Sequence, residues 1–195
     1  LRASKPEGLY LDILTEYLST YDQLTDKIER MDRQIEELAG EAEYREGVKK
    51  LSCFLGIKTQ TALSAMVEVG DFKRFSSAQR FCAYLGLVPG EHSSSESQNR
   101  LGITKAGNSH IRTLLIEAAQ SYTRGRVGFK SKALKERQYG NPADVIAYAD
   151  KANERLRRKY YTMVLAKGKK VNVVKTAIAR ELACFMWGMM TGNLT

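Results

Sequence analysis

From Tyr10 to Leu38 the chain carries an apolar or aromatic residue at alternating intervals of four and three: Tyr10, Leu14, Tyr17, Tyr21, Leu24, Ile28, Met31, Ile35 and Leu38. An apolar period of 3.5 residues marks a helix whose narrow seam meets another helix, whereas a helix lying on a globular core shows a broader stripe. Asp, Lys, Glu, Arg and Gln fill the flanking positions, and Gly40 supplies a stop. At 1.5 Å per residue such a helix reaches roughly 45 Å. Its partner is a helix of this chain or of a second copy. Three tyrosines in the seam leave antiparallel and multi-helix packing open.

The rest of the sequence also reads as helical. A short helix with Tyr44, Val48, Leu51 and Leu55 on one face runs into Gly56-Ile57-Lys58-Thr59-Gln60-Thr61-Ala62. This pattern resembles a helix-hairpin-helix, in which a tight turn aims backbone N–H groups at a phosphate; a plain helical turn is the alternative. Ser76 to Leu85 forms the next expected helix, with Ser76 as its cap. After Pro89 the stretch Gly90–Arg100 is rich in Ser and Asn and lacks apolar residues, so a loop or short hairpin is expected. A helix with Ile111, Leu114, Leu115 and Ala118 inward follows Gly107-Asn108. A long helix from about Ala143 to Ala166 and a final amphipathic helix over Val171–Met190 complete the chain. The expected fold class is therefore mainly all-α: a coiled-coil stalk over 1–45, then a helical domain over 46–195 with a helix-hairpin-helix-like element and a short loop or hairpin.

Charge narrows the function classes. The 31 Lys and Arg against 22 Asp and Glu leave a net +9. Between Arg124 and Lys170 there are 14 basic and 4 acidic residues, so that stretch alone carries +10 and the remainder is close to neutral. A localised excess of this kind suits phosphate neutralisation. No apolar run approaches the roughly 18 residues needed to span a bilayer, and Leu1–Gly8 has no secretory character, so a cytoplasmic protein without a membrane partner is expected. A start at Leu rather than Met points to a trimmed product. Cys53, Cys82 and Cys184 lack CxxC spacing, which favours buried thiols over zinc or a disulfide framework. His92 and His110 alone cannot build a metal site.

Two readings fit the Ser93–Ser97 cluster. It is a polar loop, or it presents a nucleophilic serine near Arg100, Lys105 and Arg112, whose charges would stabilise a phosphoryl transition state. The residue types supply those cations and mark no base for the serine's proton.

Gly56–Ala62, Val69-Gly70-Asp71, Phe75-Ser76, Ala83–Pro89, Ser93-Ser94, Gly102–Asn108 and His110–Arg112 together resemble the C-terminal domain of insertion-sequence transposases of the bridge-RNA-guided serine type, relatives of the Piv-type DNA invertases. The resemblance covers most of the chain. It implies a serine that links covalently to DNA, with Ser93 the first choice and Ser94 the second. In the family the serine pair is followed by Gly-Gly; here Ser95 and Glu96 stand instead. It also implies a RuvC-like, magnesium-binding N-terminal domain outside this sequence, a structured guide RNA, DNA as substrate, and a dimer or tetramer joined through the coiled region. No cofactor is expected within this chain. The nucleic-acid contacts expected on this reading are Lys58, Arg100, Lys105, Asn108, Arg112, Arg124, Arg126, Lys130 and Lys132. The competing reading is a module that binds nucleic acid and oligomerises without contributing a nucleophile.

Overall fold

The computed structural model describes residues 8–94 and 97–194, with the backbone alone over 91–101. The described chain is mainly helical, as its apolar periodicities require. Helix α1 (Leu9–Ala39) is followed by α2 (Arg45–Leu51), α3 (Thr59–Val69) and α4 (Ala78–Tyr84). An antiparallel hairpin of β1 (Pro89–Ser94) and β2 (Ser97–Ile103) then leads to α5 (Ser109–Ala118), α6 (Lys132–Gln138), α7 (Ala143–Tyr161) and α8 (Val171–Thr191).

Helix α1 runs unbroken, as the heptad seam predicts, and closes where the Gly40 N–H donates to the Glu36 and Glu37 carbonyls at 3.1 and 3.0 Å. Its last turns seat Ile35 and Ala39 near α3. Over the rest of its length the seam is open to solvent: Tyr17 is 72% exposed, Ile28 60% and Met31 51%. Packing against another helix of the described chain is thereby excluded for most of the stalk.

The core is built around α8. Val174, Ile178, Ala179, Leu182, Ala183 and Met186 are fully sealed from solvent and meet α4, α5 and α7. Spacings of three, four and one spread them over a broad stripe, the arrangement of a helix embedded in a globular core rather than in a coil. Each buried Leu, Ile or Met there stabilises the fold by about 1.5–3 kcal/mol through apolar transfer. Phe185, on the same helix, is half-buried and packs edge-on against Tyr148 at 5.5 Å between ring centres.

Two boundaries differ from the sequence expectation. Ser77 rather than Ser76 caps α4, its Oγ accepting from the Arg80 N–H at 3.3 Å. The short second helix ends at Leu51 instead of continuing to Leu55; Cys53, Phe54 and Ile57 close single turns by bonding back three residues. The cause is burial, because Cys53, Phe54 and Ile57 all need to enter the core and a continuous helix would turn some of them outward.

Part of the basic stretch is architecture. Asn153 on α7 accepts from the Leu55 N–H at 2.9 Å and from the Tyr122 hydroxyl at 3.2 Å. Arg157, only 6% exposed, donates through Nη1 to the Arg126 and Phe129 carbonyls, and Tyr161 donates to the Gly125 carbonyl at 2.7 Å. These bonds pin the 124–131 loop to α7.

Candidate nucleic-acid interface

The β1–β2 hairpin stands on a root made by the end of α4 and the start of α5. The chain leaves α4 through Gly86 and returns through Gly107, both with positive φ (66° and 77°). A Cβ on Gly107 would overlap the Tyr84 carbonyl oxygen, and one on Gly86 would overlap the Ala106 carbonyl. The close approach lets the Asn108 N–H reach the Tyr84 carbonyl at 3.0 Å and the Lys105 N–H reach that of Gly86 at 3.1 Å. Above this root the strands pair His92 with Asn99, Ser93 with Gln98 and Ser94 with Ser97, with an irregularity between Pro89 and Glu91. Four to five residues separate Pro89 from the serines, about 15 Å at strand rise. The serine backbone is thus at the far end of a projecting hairpin. The side chains of Ser93, Ser94 and Arg100 lie outside the described residues.

The candidate residues at the root divide by what they already bind. Asn108 caps α5, its Oδ1 accepting from the Ile111 N–H at 2.9 Å while its Nδ2 donates to Glu68 at 2.7 Å. Glu68, on α3, also holds His110 Nδ1. Burial raises the Glu68 carboxyl, but the hydrogen bonds from Asn108 and His110 outweigh it and hold the group below its ordinary value. Arg112 Nη1 donates to the Leu85 carbonyl at 2.9 Å and to that of Ala106 at 3.3 Å, so Arg112 braces the root. Lys105 is exposed and is the one non-glycine residue with positive φ (57°) among the described residues. It lines a groove of about 560 Å³ between the hairpin root and the first half of α8, opposite Arg180.

Elsewhere, Lys130 is drawn inward to Asp150 at 2.7 Å and Gln138 at 3.0 Å, which removes it from the free cations. Arg124, Arg126 and Lys132 are exposed, the last 3.9 Å from Glu136. Lys58 is exposed at the N-terminus of α3, where the sequence pattern puts a phosphate. Asp32 and Glu36 of α1 line the same groove, so any phosphate there competes with two carboxylates.

The sequence reading did not resolve a second basic groove, of about 680 Å³, along the C-terminal half of α7. Lys151, Arg155, Arg158 and Lys159 border it, with Lys167 and Lys169 from the following turn. Glu181 of α8 binds both Arg155 and Lys159. Glu154 also lines the groove, but Lys151, Arg158, Lys167 and Lys169 form no ion pair among the described residues, and six cations against Glu154 and Glu181 leave the groove net positive. The spacing of Lys151, Arg155, Arg158 and Lys159 at helical intervals was the available signal.

Glu181 has a titration consequence. Burial pushes its carboxyl up, but Lys159 and Arg155 outweigh this and leave it below its ordinary value. A carboxyl with a folded pKa below its unfolded one adds stability above the unfolded value, about 4.3. That stability is lost as pH falls through the folded pKa. Glu181→Gln is therefore expected to lower unfolding free energy by about 1–2 kcal/mol at neutral pH. Chemical denaturation at decreasing pH should show the variant and parent converging at acidic pH; a constant difference would rule out the charge pairing as its cause.

Residues 48–134 match the Transposase IS116/IS110/IS902 family. That span begins in α2 and takes in the α2–α3 element, the hairpin with its root, and α5. The candidate transposase y4qE of Sinorhizobium fredii is 46% identical over 140 residues, 71% of this chain and 35% of that protein. The transposase for insertion sequence element IS1111A of Coxiella burnetii is 36% identical over 137 residues, 67% of this chain and 37% of its own length. The transposase for insertion sequence element IS1328 of Yersinia enterocolitica is 28% identical over 179 residues, 92% of this chain and 45% of its own. The chain thus spans less than half the length of these curated relatives. No described helix is long and apolar enough to cross a membrane.

Proposed function

We propose that this chain is the downstream portion of a DNA transposase, in which a hairpin serine attacks a DNA phosphate and the cationic surfaces hold nucleic acid. The observation that carries the reading is the coincidence of the IS116/IS110/IS902 match with the hairpin and its braced root. Ser93 is the first candidate nucleophile and Ser94 the second. In the step envisaged, a bond forms between the serine Oγ and phosphorus as the bond from phosphorus to one bridging sugar oxygen breaks. The serine loses its proton and the leaving oxygen gains one. Lys105, beside the root, and Arg100, on β2, are the cations assigned to charge on the phosphoryl oxygens.

Magnesium and the group that activates the serine are assigned to a RuvC-like domain elsewhere in the full-length protein. Among the described residues no three His, Cys, Asp or Glu side chains gather into a metal-holding cluster. The basic groove of α7, with Arg124, Arg126 and Lys132, is assigned to the nucleic-acid backbone, including a structured guide RNA. The open seam of α1 is assigned to a second copy, giving a dimer or tetramer.

Covalent trapping tests this proposal. Full-length protein is reacted with DNA and digested, and the adduct is located by mass spectrometry. A phosphodiester on the peptide containing Ser93 and Ser94 is expected. An adduct on any other residue, or strand exchange with no adduct, would overturn the assignment. The second reading, a binding and oligomerisation module without a nucleophile, is favoured by the engagement of Arg112 with the Leu85 and Ala106 carbonyls, which removes one of the cations expected beside an attacking serine. Under either reading, affinity should fall steeply with added salt, and a flat response would remove the role given to the cationic surfaces.

A further inference from the structure

Two thiols that are 102 residues apart in the chain meet in the fold. Cys82 on α4, 2% exposed, has its Sγ 3.4 Å from that of Cys184 on α8 and 3.3 Å from the Arg180 carbonyl oxygen. Cys184 is only partly buried. The hydrogen-bonding contact with Cys82, with Arg180 and Lys159 acting in the same direction, holds the Cys184 thiol below its ordinary value against burial and Glu181. The same contact, together with burial, pushes Cys82 up. Cys184 is therefore the more exposed of the pair and the one inclined to ionise, and Cys82 is its buried neighbour, the division of labour between an attacking and a resolving cysteine. Cys53 is fully buried, its Sγ bonded to the Lys49 carbonyl at 3.5 Å, and burial pushes it up to about 11.

We infer that Cys184 and Cys82 form an oxidation site at which a hydroperoxide converts the contact into a disulfide joining α8 to α4. The Cys184 thiolate attacks one peroxide oxygen, the O–O bond breaks, and the departing oxygen leaves as water or an alcohol after taking a proton. The resulting sulfenic sulfur is attacked by Cys82. The S–S bond forms, the S–O bond breaks, and water leaves with the Cys82 proton. Two thiols are oxidised and one hydroperoxide is reduced. The sulfurs need to approach by about 1.4 Å to reach bonding distance. Helix α4 leads directly into the hairpin root, and α8 lines the groove beneath it with Thr176, Ala177 and Arg180. The bond would staple α4, which carries one side of the hairpin root, to the core helix α8. This inference does not depend on the transposase reading.

The test treats the 195-residue chain with hydrogen peroxide at neutral pH and maps non-reduced peptides by mass spectrometry. The expected product is a peptide pair linked through Cys82 and Cys184, two hydrogens lighter than its parts and released by dithiothreitol. Closing so long a loop should raise Tm by on the order of 10 °C. Cys53→Ser should form the same link. Cys184→Ser, changed at the more exposed position, should unfold cooperatively and leave Cys82 unmodified. Accumulation of sulfinic acid at Cys184 with Cys82 free, reaction at Cys53 at the same rate, or no reaction would each overturn the inference.

Discussion

Ser93→Ala in the full-length protein is expected to lower DNA strand exchange by about a thousandfold or more, while nucleic-acid affinity stays within about twofold of the parent. Removing a nucleophile takes away a bond that forms in the reaction and no contact that binds the ground state. The backbone around Ser93 belongs to a regular antiparallel ladder, opposite Gln98, so alanine is compatible with the local conformation. Ser94→Ala is the paired experiment, and whichever variant carries the large loss identifies the attacking residue. Full activity in both would end the serine proposal and leave the binding and oligomerisation module standing. Equal weakening of binding and exchange would instead assign the hairpin to DNA positioning.

Gly107→Ala is expected to destabilise the fold by about 3–5 kcal/mol, with the root of the hairpin as the cause. Two penalties combine. An L-residue at φ 77° costs about 1–2 kcal/mol. In addition, the new Cβ would overlap the Tyr84 carbonyl oxygen, a backbone atom that cannot rotate away as a side chain would. Relief would pull that carbonyl from the Asn108 N–H and disturb the cap of α5 together with its link to Glu68. Gly140 provides the comparison, since its φ is 79° and nothing lies within 4 Å of the Cβ it lacks. Gly140→Ala should therefore show only the conformational penalty. Urea unfolding of both variants separates the two contributions, and equal losses would show that the close approach to Tyr84 carries no weight.

Helices were legible wherever one periodicity dominated. The seam of α1 predicted an uninterrupted helix ending at Gly40, and the apolar periodicity of Val171–Met190 predicted an amphipathic helix, because each pattern follows from residues three and four apart sharing a face. The hairpin was half legible: Ser and Asn between Pro89 and Arg100 announced a turn region, but the pairing of Ser93 with Gln98 depends on partner strands. The α2–α3 connection was misjudged in extent because local spacing does not say which of Cys53, Phe54 and Ile57 will find a core to enter.

The sequence by itself determined the mainly helical class, the unbroken stalk helix, the concentration of positive charge after Arg124 and the glycines around the Tyr84–Arg112 segment. These follow from composition and short-range geometry. Only the tertiary structure decided which charges are available. Lys130 is drawn to Asp150, Arg112 to the Leu85 and Ala106 carbonyls, and Arg157 into the interior, while Lys151, Arg158, Lys167 and Lys169 stay in an open groove. The reason is that a cation's fate depends on acceptors brought close from distant parts of the chain. The same holds for sulfur: Cys82 and Cys184 are unrelated in sequence and become neighbours only when α4 packs on α8.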